Sequence, residues 1–195
     1  MDRKALQTRT ALTEFRAMKR DEDAAPIIEG RFISFTGSYQ ICPWASEKIS
    51  PDVEIEGDDI RALVDHETRL VLGRTTAGTL KIERKDDGIY GTIEINPNDQ
   101  DAMNLYARVE RGDVSQCSFG CYITREETEF LEDGNVEYTI TGIELLEVSV
   151  VTFPAYEDTG VSARAAEAKD LMKRQIEAWK DVQRHRLNKQ PERTE

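Results

Sequence analysis

The sequence predicts an α+β protein that is mainly β, with an antiparallel sheet or barrel and helices packed around it. Three observations support this class. Six or more short segments have the pattern of strands, most turns between them are short, and two or three segments show helical spacing. The 195 residues suffice for one domain with its own core and a tail.

The first third of the chain predicts one clear strand between less regular segments. Residues 1–25 are polar and charged, and they predict a frayed or helical N-terminal arm. A strand follows at 27–35, where apolar residues occupy both faces and a glycine suggests a bulge. Residues 36–52 contain one glycine and two prolines and predict a loop. Residues 57–64 predict a short helix, because an aspartate near its start can cap the first turn.

The middle of the chain predicts three strands, at about 70–75, 79–84 and 89–95. An Asp-Asp-Gly turn at 86–88 predicts that the last two form a hairpin. Asp99 then opens a predicted helix, which an Arg-Gly pair at 111–112 closes. The apolar positions that recur at helical spacing in this helix are Ala102, Leu105, Tyr106 and Val109.

Residues 114–123 predict a strand with two different faces. The apolar face belongs to a core and consists of Cys117, Phe119, Cys121 and Ile123. The other face is predicted to be open, and it consists of Gln116, Ser118, Gly120 and Tyr122. A small hydroxyl therefore lies beside a glycine where another molecule could approach. By itself, a serine in such a strand is most often an ordinary surface or packing residue.

After this strand the chain predicts a hairpin and then a change to helix. A polar Asp-Gly-Asn turn at 133–135 leads into strands at 136–141 and 143–153, and Pro154 ends the second one. From Val161 onwards the pattern is helical, with an apolar stripe formed by Met172, Ile176, Trp179 and Val182.

The stripe either docks on the body or serves self-association, and docking is the favoured interpretation. We therefore predict an arm at 1–25, a β domain at 26–160 and a helical tail at 161–195.

The net charge of −12 is unevenly distributed. Residues 161–195 carry 9 Lys or Arg and 6 Asp or Glu, whereas residues 1–160 carry 17 and 32. A body this acidic is unsuited to nucleic acid, and no apolar run reaches the roughly 20 residues that span a bilayer. The N-terminus also lacks the apolar segment of a secretory signal. We therefore expect neither a nucleic-acid nor a membrane partner.

The cysteines are odd in number and form no CxxC motif; they are Cys42, Cys117 and Cys121. This pattern predicts reduced core thiols in a cytosolic setting, and neither a disulfide framework nor a zinc site. The sequence contains no motif for a cofactor, so none is expected.

Two residues stand out for chemistry beside Ser118. His66 is the one histidine of the folded body, since His185 lies in the polar C-terminal segment, and imidazole suits a general base. Glu147 lies in an apolar strand, where a half-buried carboxylate needs a partner because burying an unpaired charge is costly. That partner is either a histidine N–H or an arginine, and the candidate arginines are Arg61, Arg69 and Arg74.

Ser118, His66 and Glu147 together supply what acyl transfer requires. A hydroxyl attacks a carbonyl, an imidazole removes and returns its proton, and a carboxylate orients the imidazole. Cys117 is an alternative nucleophile, but the alternation places it on the core face.

Several short motifs, in this order and spacing, resemble the tailed-phage prohead (capsid maturation) proteases of the HK97 type. The motifs are EFRA at 14–17, IRALVDH at 60–66, LGRT at 72–75, GTL at 78–80, RGDVS at 111–115, SFG at 118–120 and EVSVVTFPAY at 147–156. The resemblance covers roughly residues 14–164. Each motif alone is weak, and jointly they are specific.

The resemblance implies a serine endopeptidase whose nucleophile, general base and orienting acid correspond to Ser118, His66 and Glu147. It implies a β-barrel like that of herpesvirus assembly proteases, which suggests a homodimer by analogy. It also implies that the protein acts in the host cytoplasm inside the procapsid. There such enzymes cleave the scaffolding segment of the major capsid protein and then themselves.

The chain departs from the family pattern near the histidine and near the serine. It has Asp65 and Glu67 beside His66 where the family often has Asn and Asp. Cys117 and Cys121 stand where the family often has methionine and a large apolar residue. Asp65 or Glu67 is therefore an alternative third residue. The rival function is a non-catalytic capsid-assembly or scaffolding protein with the same fold.

Overall fold

The computed structural model describes residues 6–11, 16–18, 25–153 and 159–188. The strands are β1 (Gln7–Ala11), β2 (Arg16–Met18), β3 (Ile27–Ser34), β4 (Tyr39–Cys42), β5 (Ala45–Glu56), β6 (Arg61–Val64), β7 (Glu67–Arg74), β8 (Leu80–Lys85), β9 (Gly88–Glu94), β10 (Gln116–Phe130) and β11 (Val136–Val151). The helices are α1 (Gln100–Arg111) and α2 (Thr159–Asn188). The protein is therefore mainly β with helices, as the sequence predicts.

The strands form a mixed seven-stranded sheet and an antiparallel four-stranded sheet. The larger sheet has the order β1-β10-β11-β5-β4, and the smaller has the order β2-β3-β9-β8. The long strand β11 pairs in parallel with β5 over 136–144 and with β6 over 147–150, and β7 pairs with β6. The prediction of a purely antiparallel arrangement is wrong, because β11 has two parallel neighbours in succession.

A closed barrel is not seen in the strand pairing of the described residues, where both sheets are open. The main core instead lies where the two sheets and α1 meet, with Phe32 of β3, Ile93 of β9, Leu105 of α1 and Phe119 of β10 all buried in one cluster. Helix α1 begins and ends as its sequence predicts. The Asp99 carboxylate accepts hydrogen bonds from the first-turn N–H groups, and Gly112 ends the helix in the left-handed conformation with φ of 86°.

The predicted helix at 57–64 is wrong, because residues 61–64 form strand β6. Asp59 does not cap a helix. Its carboxylate accepts hydrogen bonds from Arg74 (2.5 and 2.6 Å) and Arg61 (3.0 Å). Ala62 and Leu63 are both buried, so the segment covers core on both faces, as an interior strand does.

The predicted loop at 36–52 is also wrong, since it contains β4 and most of β5. Pro51 lies where the pairing of β5 with β11 jumps from Ile49–Ile140 to Glu54–Gly142. Proline is tolerated at such an irregularity because no ladder hydrogen bond is required of its nitrogen. In the predicted arm, the helical alternative is wrong for the described residues, which form β1 and β2.

The two strands predicted after the hairpin are one continuous strand, β11, and the serine strand extends to Phe130. The long β10–β11 ladder bends at irregularities near Gly120 and Ile123. Because a bulge takes up an extra residue, β10 and β11 stay paired even where the alternation of apolar and polar residues is interrupted.

Helix α2 packs against the sheet near its start and is exposed further along. Ala168, Leu171 and Met172 contact the cluster around Ile41 and Tyr138. The remaining apolar residues of the stripe are largely exposed, with Ile176 at 50%, Trp179 at 63% and Val182 at 50%. Docking therefore accounts for the first part of the stripe, and self-association of the rest stays a prediction. No helix within the described ranges has the length and apolar character needed to span a membrane.

Candidate active site

The register of β10 and β11 brings the predicted serine and glutamate onto one face of the large sheet. Ser118 lies opposite Ser149, and Gly120 lies opposite Glu147. Residues directly opposite each other on antiparallel strands project from the same face. On the other side of β11, Val150 pairs with the last residue of β6, which brings the β6–β7 turn to the same place.

That turn consists of Asp65 and His66, both with positive φ, at 47° and 62°. Two-residue hairpin turns of this type match the twist of the flanking strands. Residues other than Gly, Asn and Asp adopt this backbone conformation at a cost, which here falls on His66. Contacts of Asp65 with β11 and with Thr152, which follows β11, hold the turn in place and offset that cost. Its N–H donates to the Val150 carbonyl (3.0 Å), and its carboxylate accepts from the Thr152 N–H (2.7 Å) and hydroxyl (3.1 Å).

The turn places the His66 imidazole on the Glu147 carboxylate. The distance from His66 Nδ1 to Glu147 Oε1 is 2.7 Å. The other carboxylate oxygen, Oε2, accepts a hydrogen bond of 2.7 Å from the Ser149 hydroxyl. The backbone N–H of His66 in turn donates to the same hydroxyl oxygen at 3.2 Å. Ser149, which is fully buried, therefore ties the histidine backbone to the carboxylate that holds its ring.

This arrangement determines which ring nitrogen carries the proton. An ionised carboxylate only accepts hydrogen bonds, so Nδ1 is protonated and Nε2 of the neutral ring keeps its lone pair. Nε2 is buried and has no hydrogen-bond partner among the described residues. A buried nitrogen without a partner costs about 1–3 kcal/mol, and it is the atom from which a general base would act.

Ser118 is fully buried on the strand next to Glu147 and Ser149. The prediction that its face is open is wrong, since Gly120 is buried as well. The structure brings His66 and Glu147 into direct contact. It places Ser118 on the same sheet face, and within the described part of the chain no hydrogen bond joins Ser118 to His66 Nε2.

The alternative partners from the sequence are engaged elsewhere. Arg61 and Arg74 bind the Asp59 carboxylate, and Arg69 lies 3.5 Å from the exposed Glu67. Asp65 binds Thr152, so neither acidic neighbour of His66 occupies the place of Glu147 at the imidazole.

Two further residues from the sequence lie outside this cluster. The Cys117 thiol is buried and donates to the carbonyl oxygen of Arg31 (3.0 Å) on the core side of β10. His185 lies on α2, where its Nδ1 is 3.1 Å from the Asp181 carbonyl oxygen.

An ion-pair cluster supports the base of the hairpin that carries His66. The hydrogen bond from the Arg74 guanidinium to Asp59 holds the pKa of that carboxyl well below its usual range, with help from Thr76 and Arg61. A depressed carboxyl pKa contributes stability at pH values above the range of a free carboxyl. That contribution is lost as the pH falls through the depressed value. The cluster therefore stays intact at neutral pH.

Sequence patterns did not indicate Ser149 or the structural role of Asp65. Ser149 lies two residues after Glu147, and that spacing on a strand signals a shared face. Spacing did not reveal that its hydroxyl bonds both the carboxylate and the His66 backbone. Within the described ranges no group of three His, Cys, Asp or Glu residues is arranged to hold a metal ion.

Gly120 is required by the position of the glutamate carboxylate. A Cβ at this residue would lie 2.4 Å from Glu147 Oε1 and 3.2 Å from its Cδ. Gly120→Ala is therefore expected to displace the carboxylate and break its bond to His66, at a stability cost of about 1–3 kcal/mol. The proton NMR signal of the His66 Nδ1–H should shift or disappear, and urea unfolding should report the stability loss.

Gly134→Ala is the matched control, because Gly134 has a positive φ of 85° with open space around it. It should lose stability through backbone strain but leave the His66 proton signal unchanged. A normal His66 signal in Gly120→Ala would contradict the packing of Glu147 over Gly120.

A histidine oriented by a half-buried carboxylate, with a serine on the same sheet face, provides the groups that serine hydrolases use. Comparison with known proteins agrees with this class. The chain matches the caudovirus prohead serine proteases over residues 13–174 and belongs to this family. It is thus a member of a family of phage capsid-maturation serine proteases.

The chain is similar to the prohead protease of Enterobacteria phage HK97, with 28% identity over 94 residues. The aligned part is 48% of this chain and 41% of that protein, so the chain spans about two fifths of the length of this relative. No solved structure matches the chain.

Proposed function

We propose that this chain is a serine endopeptidase of phage capsid maturation, with Ser118 as nucleophile, His66 as general base and acid, and Glu147 as the group that orients His66. The observation that carries the proposal is the His66–Glu147 hydrogen bond of 2.7 Å, which leaves the buried Nε2 without a partner among the described residues. Membership of the prohead serine protease family supports it.

In the proposed reaction, His66 Nε2 takes the proton of the Ser118 hydroxyl as its Oγ bonds to the scissile carbonyl carbon. The tetrahedral intermediate collapses, the C–N bond breaks, and the Nε2 proton passes to the leaving amine. A water molecule then attacks the acyl-enzyme by the same route and releases the acid product. Glu147 stabilises the imidazolium in both halves, and the Ser149 hydroxyl holds the carboxylate in position.

Substrate binding must bring Ser118 Oγ within reach of Nε2. Catalytic hydrogen bonds are often unformed without substrate and tighten in the complex. Strand β11 lies between β10, which carries Ser118, and the β6–β7 hairpin, which carries His66, so the proposal requires a side-chain rotation and a movement of the hairpin to complete the contact.

The proposed substrates are the scaffolding segment of the major capsid protein and then the protease itself, inside the procapsid in the host cytoplasm. The similar protein from phage HK97 is named a prohead protease, which supports this location. We further propose residues 26–160 as the protease domain, related in fold to the herpesvirus assembly proteases and able to form a homodimer, and 161–195 as a helical tail. An acidic body of this charge supports the absence of a nucleic-acid partner.

The second candidate is a non-catalytic capsid-assembly or scaffolding protein. One observation favours it, namely that Ser118 has no exposed surface and makes no hydrogen bond to His66 Nε2. A protein of this kind would keep the His66–Glu147 contact for structural reasons alone.

A serine-directed fluorophosphonate distinguishes the two candidates. In the proposed enzyme, Ser118 Oγ displaces fluoride from phosphorus after His66 takes its proton, so the folded chain should gain one adduct, on the Ser118 peptide. Ser115 and Ser149 should remain unlabelled, and heat-denatured chain should not react. The absence of any adduct after prolonged incubation, or an adduct at another serine, would exclude Ser118 as the nucleophile.

A further inference from the structure

Strand β1 lies along the outer edge of β10, beside Ser118. The five paired positions run antiparallel from Gln7 opposite Cys121 to Ala11 opposite Cys117, and Thr10 lies opposite Ser118. The other edge of β10 pairs with β11 from Gln116 to Phe130. The segment that carries the proposed nucleophile is therefore flanked on both sides, and one of its neighbours is a strand of only five residues.

We propose that the edge of β10 from Cys117 to Cys121 is the site where an extended peptide substrate pairs, and that β1 occupies this site until it is displaced. The proposal rests on the proposed function, because it assigns a substrate position relative to Ser118. It explains why a family member with an assembled His66–Glu147 pair has a completely buried serine.

The spacing of strands defines where a paired peptide would run relative to Ser118. A peptide in the place of β1 runs about 4.8 Å from β10, with a backbone unit opposite Ser118 where Thr10 now lies. The Ser118 side chain stands out from the sheet face, so the peptide must rise from the plane of the strands to bring a carbonyl carbon to its Oγ. Main-chain hydrogen bonds to β10 supply affinity for any extended sequence, which suits a peptide segment as substrate.

Of the two strands beside β10, β1 is the one that can leave more easily. It has five residues, and its described backbone pairs with β10 alone. Short strands with one paired edge open locally at small free-energy cost. The ladder to β11 keeps β10 and Ser118 in position when β1 departs.

Occupation by β1 reduces the fraction of molecules that can bind substrate. The apparent dissociation constant rises in inverse proportion to that fraction. If about one molecule in ten is open, removing β1 improves apparent affinity about tenfold.

The test is a reversible lock of β1 in the full chain. Gln7→Cys introduces a thiol opposite Cys121, at a separation of antiparallel partners that is compatible with a disulfide. Oxidation with glutathione disulfide, checked by mass spectrometry of the linked peptides, should lower both fluorophosphonate labelling of Ser118 and peptide cleavage at least tenfold. Reduction with dithiothreitol should restore both rates.

Gln7→Ser is the matched control, and its rates should be the same in both redox states. A second variant that lacks residues 1–11 should label Ser118 about tenfold faster than the full chain. Equal rates for the locked and reduced forms of Gln7→Cys, with normal labelling of the wild type, would overturn the strand-site proposal alone. Failure of every form, including the truncated variant, to react at Ser118 would overturn the proposed function and this proposal with it.

Discussion

Replacing Ser118 with alanine is expected to abolish removal of the scaffolding segment from capsid subunits that are expressed together with the chain. Alanine has no hydroxyl to form the acyl-enzyme, and in serine proteases the loss of the nucleophile lowers kcat on the order of 10⁶-fold. Because Ser118 is fully buried and alanine is smaller, the fold should persist. Gel analysis of the capsid subunit over a time course measures the effect.

Ser115→Ala is the matched control for this experiment. Ser115 is exposed just before β10, and its loss should leave processing unchanged. Thermal unfolding of both variants separates a catalytic defect from a folding defect. Removal of the scaffolding segment at the normal rate by Ser118→Ala would show that the assignment of the nucleophile is wrong.

Replacing His66 with alanine is expected to have an effect of similar size on processing, on the order of 10⁶-fold in kcat. Without the imidazole, nothing at this position removes the Ser118 proton or returns one to the leaving amine. The variant also leaves the Glu147 carboxylate with Ser149 but without its ring partner, so its thermal midpoint should fall. Added imidazole should restore part of the activity by filling the space of the lost ring.

The second histidine provides the control for this prediction. His185 lies exposed on α2, where its Nδ1 is 3.1 Å from the Asp181 carbonyl oxygen. His185→Ala should process capsid subunits like the wild type. Unchanged processing by His66→Ala would favour the non-catalytic alternative or a different base.

Local patterns were sufficient where neighbouring residues decide the structure. Helix α1 follows its apolar spacing between an aspartate cap and a terminal glycine, and the β8–β9 hairpin follows its Asp-Asp-Gly turn. Patterns failed at β5 and β6. Two prolines suggested a loop, but β5 accommodates Pro51 at an irregularity in its pairing with β11. A capped apolar run suggested a helix, but residues 61–64 form β6, which pairs with β11.

At the candidate site, too, local patterns predicted some features and only the tertiary structure decided others. The residue types and their order along the chain marked Ser118, His66 and Glu147 as a set before any contact was visible. The choice of His66 over an arginine as the partner of Glu147 depends on the β6–β7 turn, whose two positive φ angles bring His66 over β11. The role of Ser149 depends on the same contact.

The sequence by itself determined the chemical groups of the candidate site, the mainly β class of the fold, and the alternation that separates Ser118 from the core thiols. Only the tertiary structure decided that β11 takes two parallel partners in turn, that Glu147 rests over Gly120, and that β1 lies beside Ser118. The physical reason is that a period of two residues defines which face a side chain occupies. Pairing between segments more than 80 residues apart depends instead on the packing of the whole sheet.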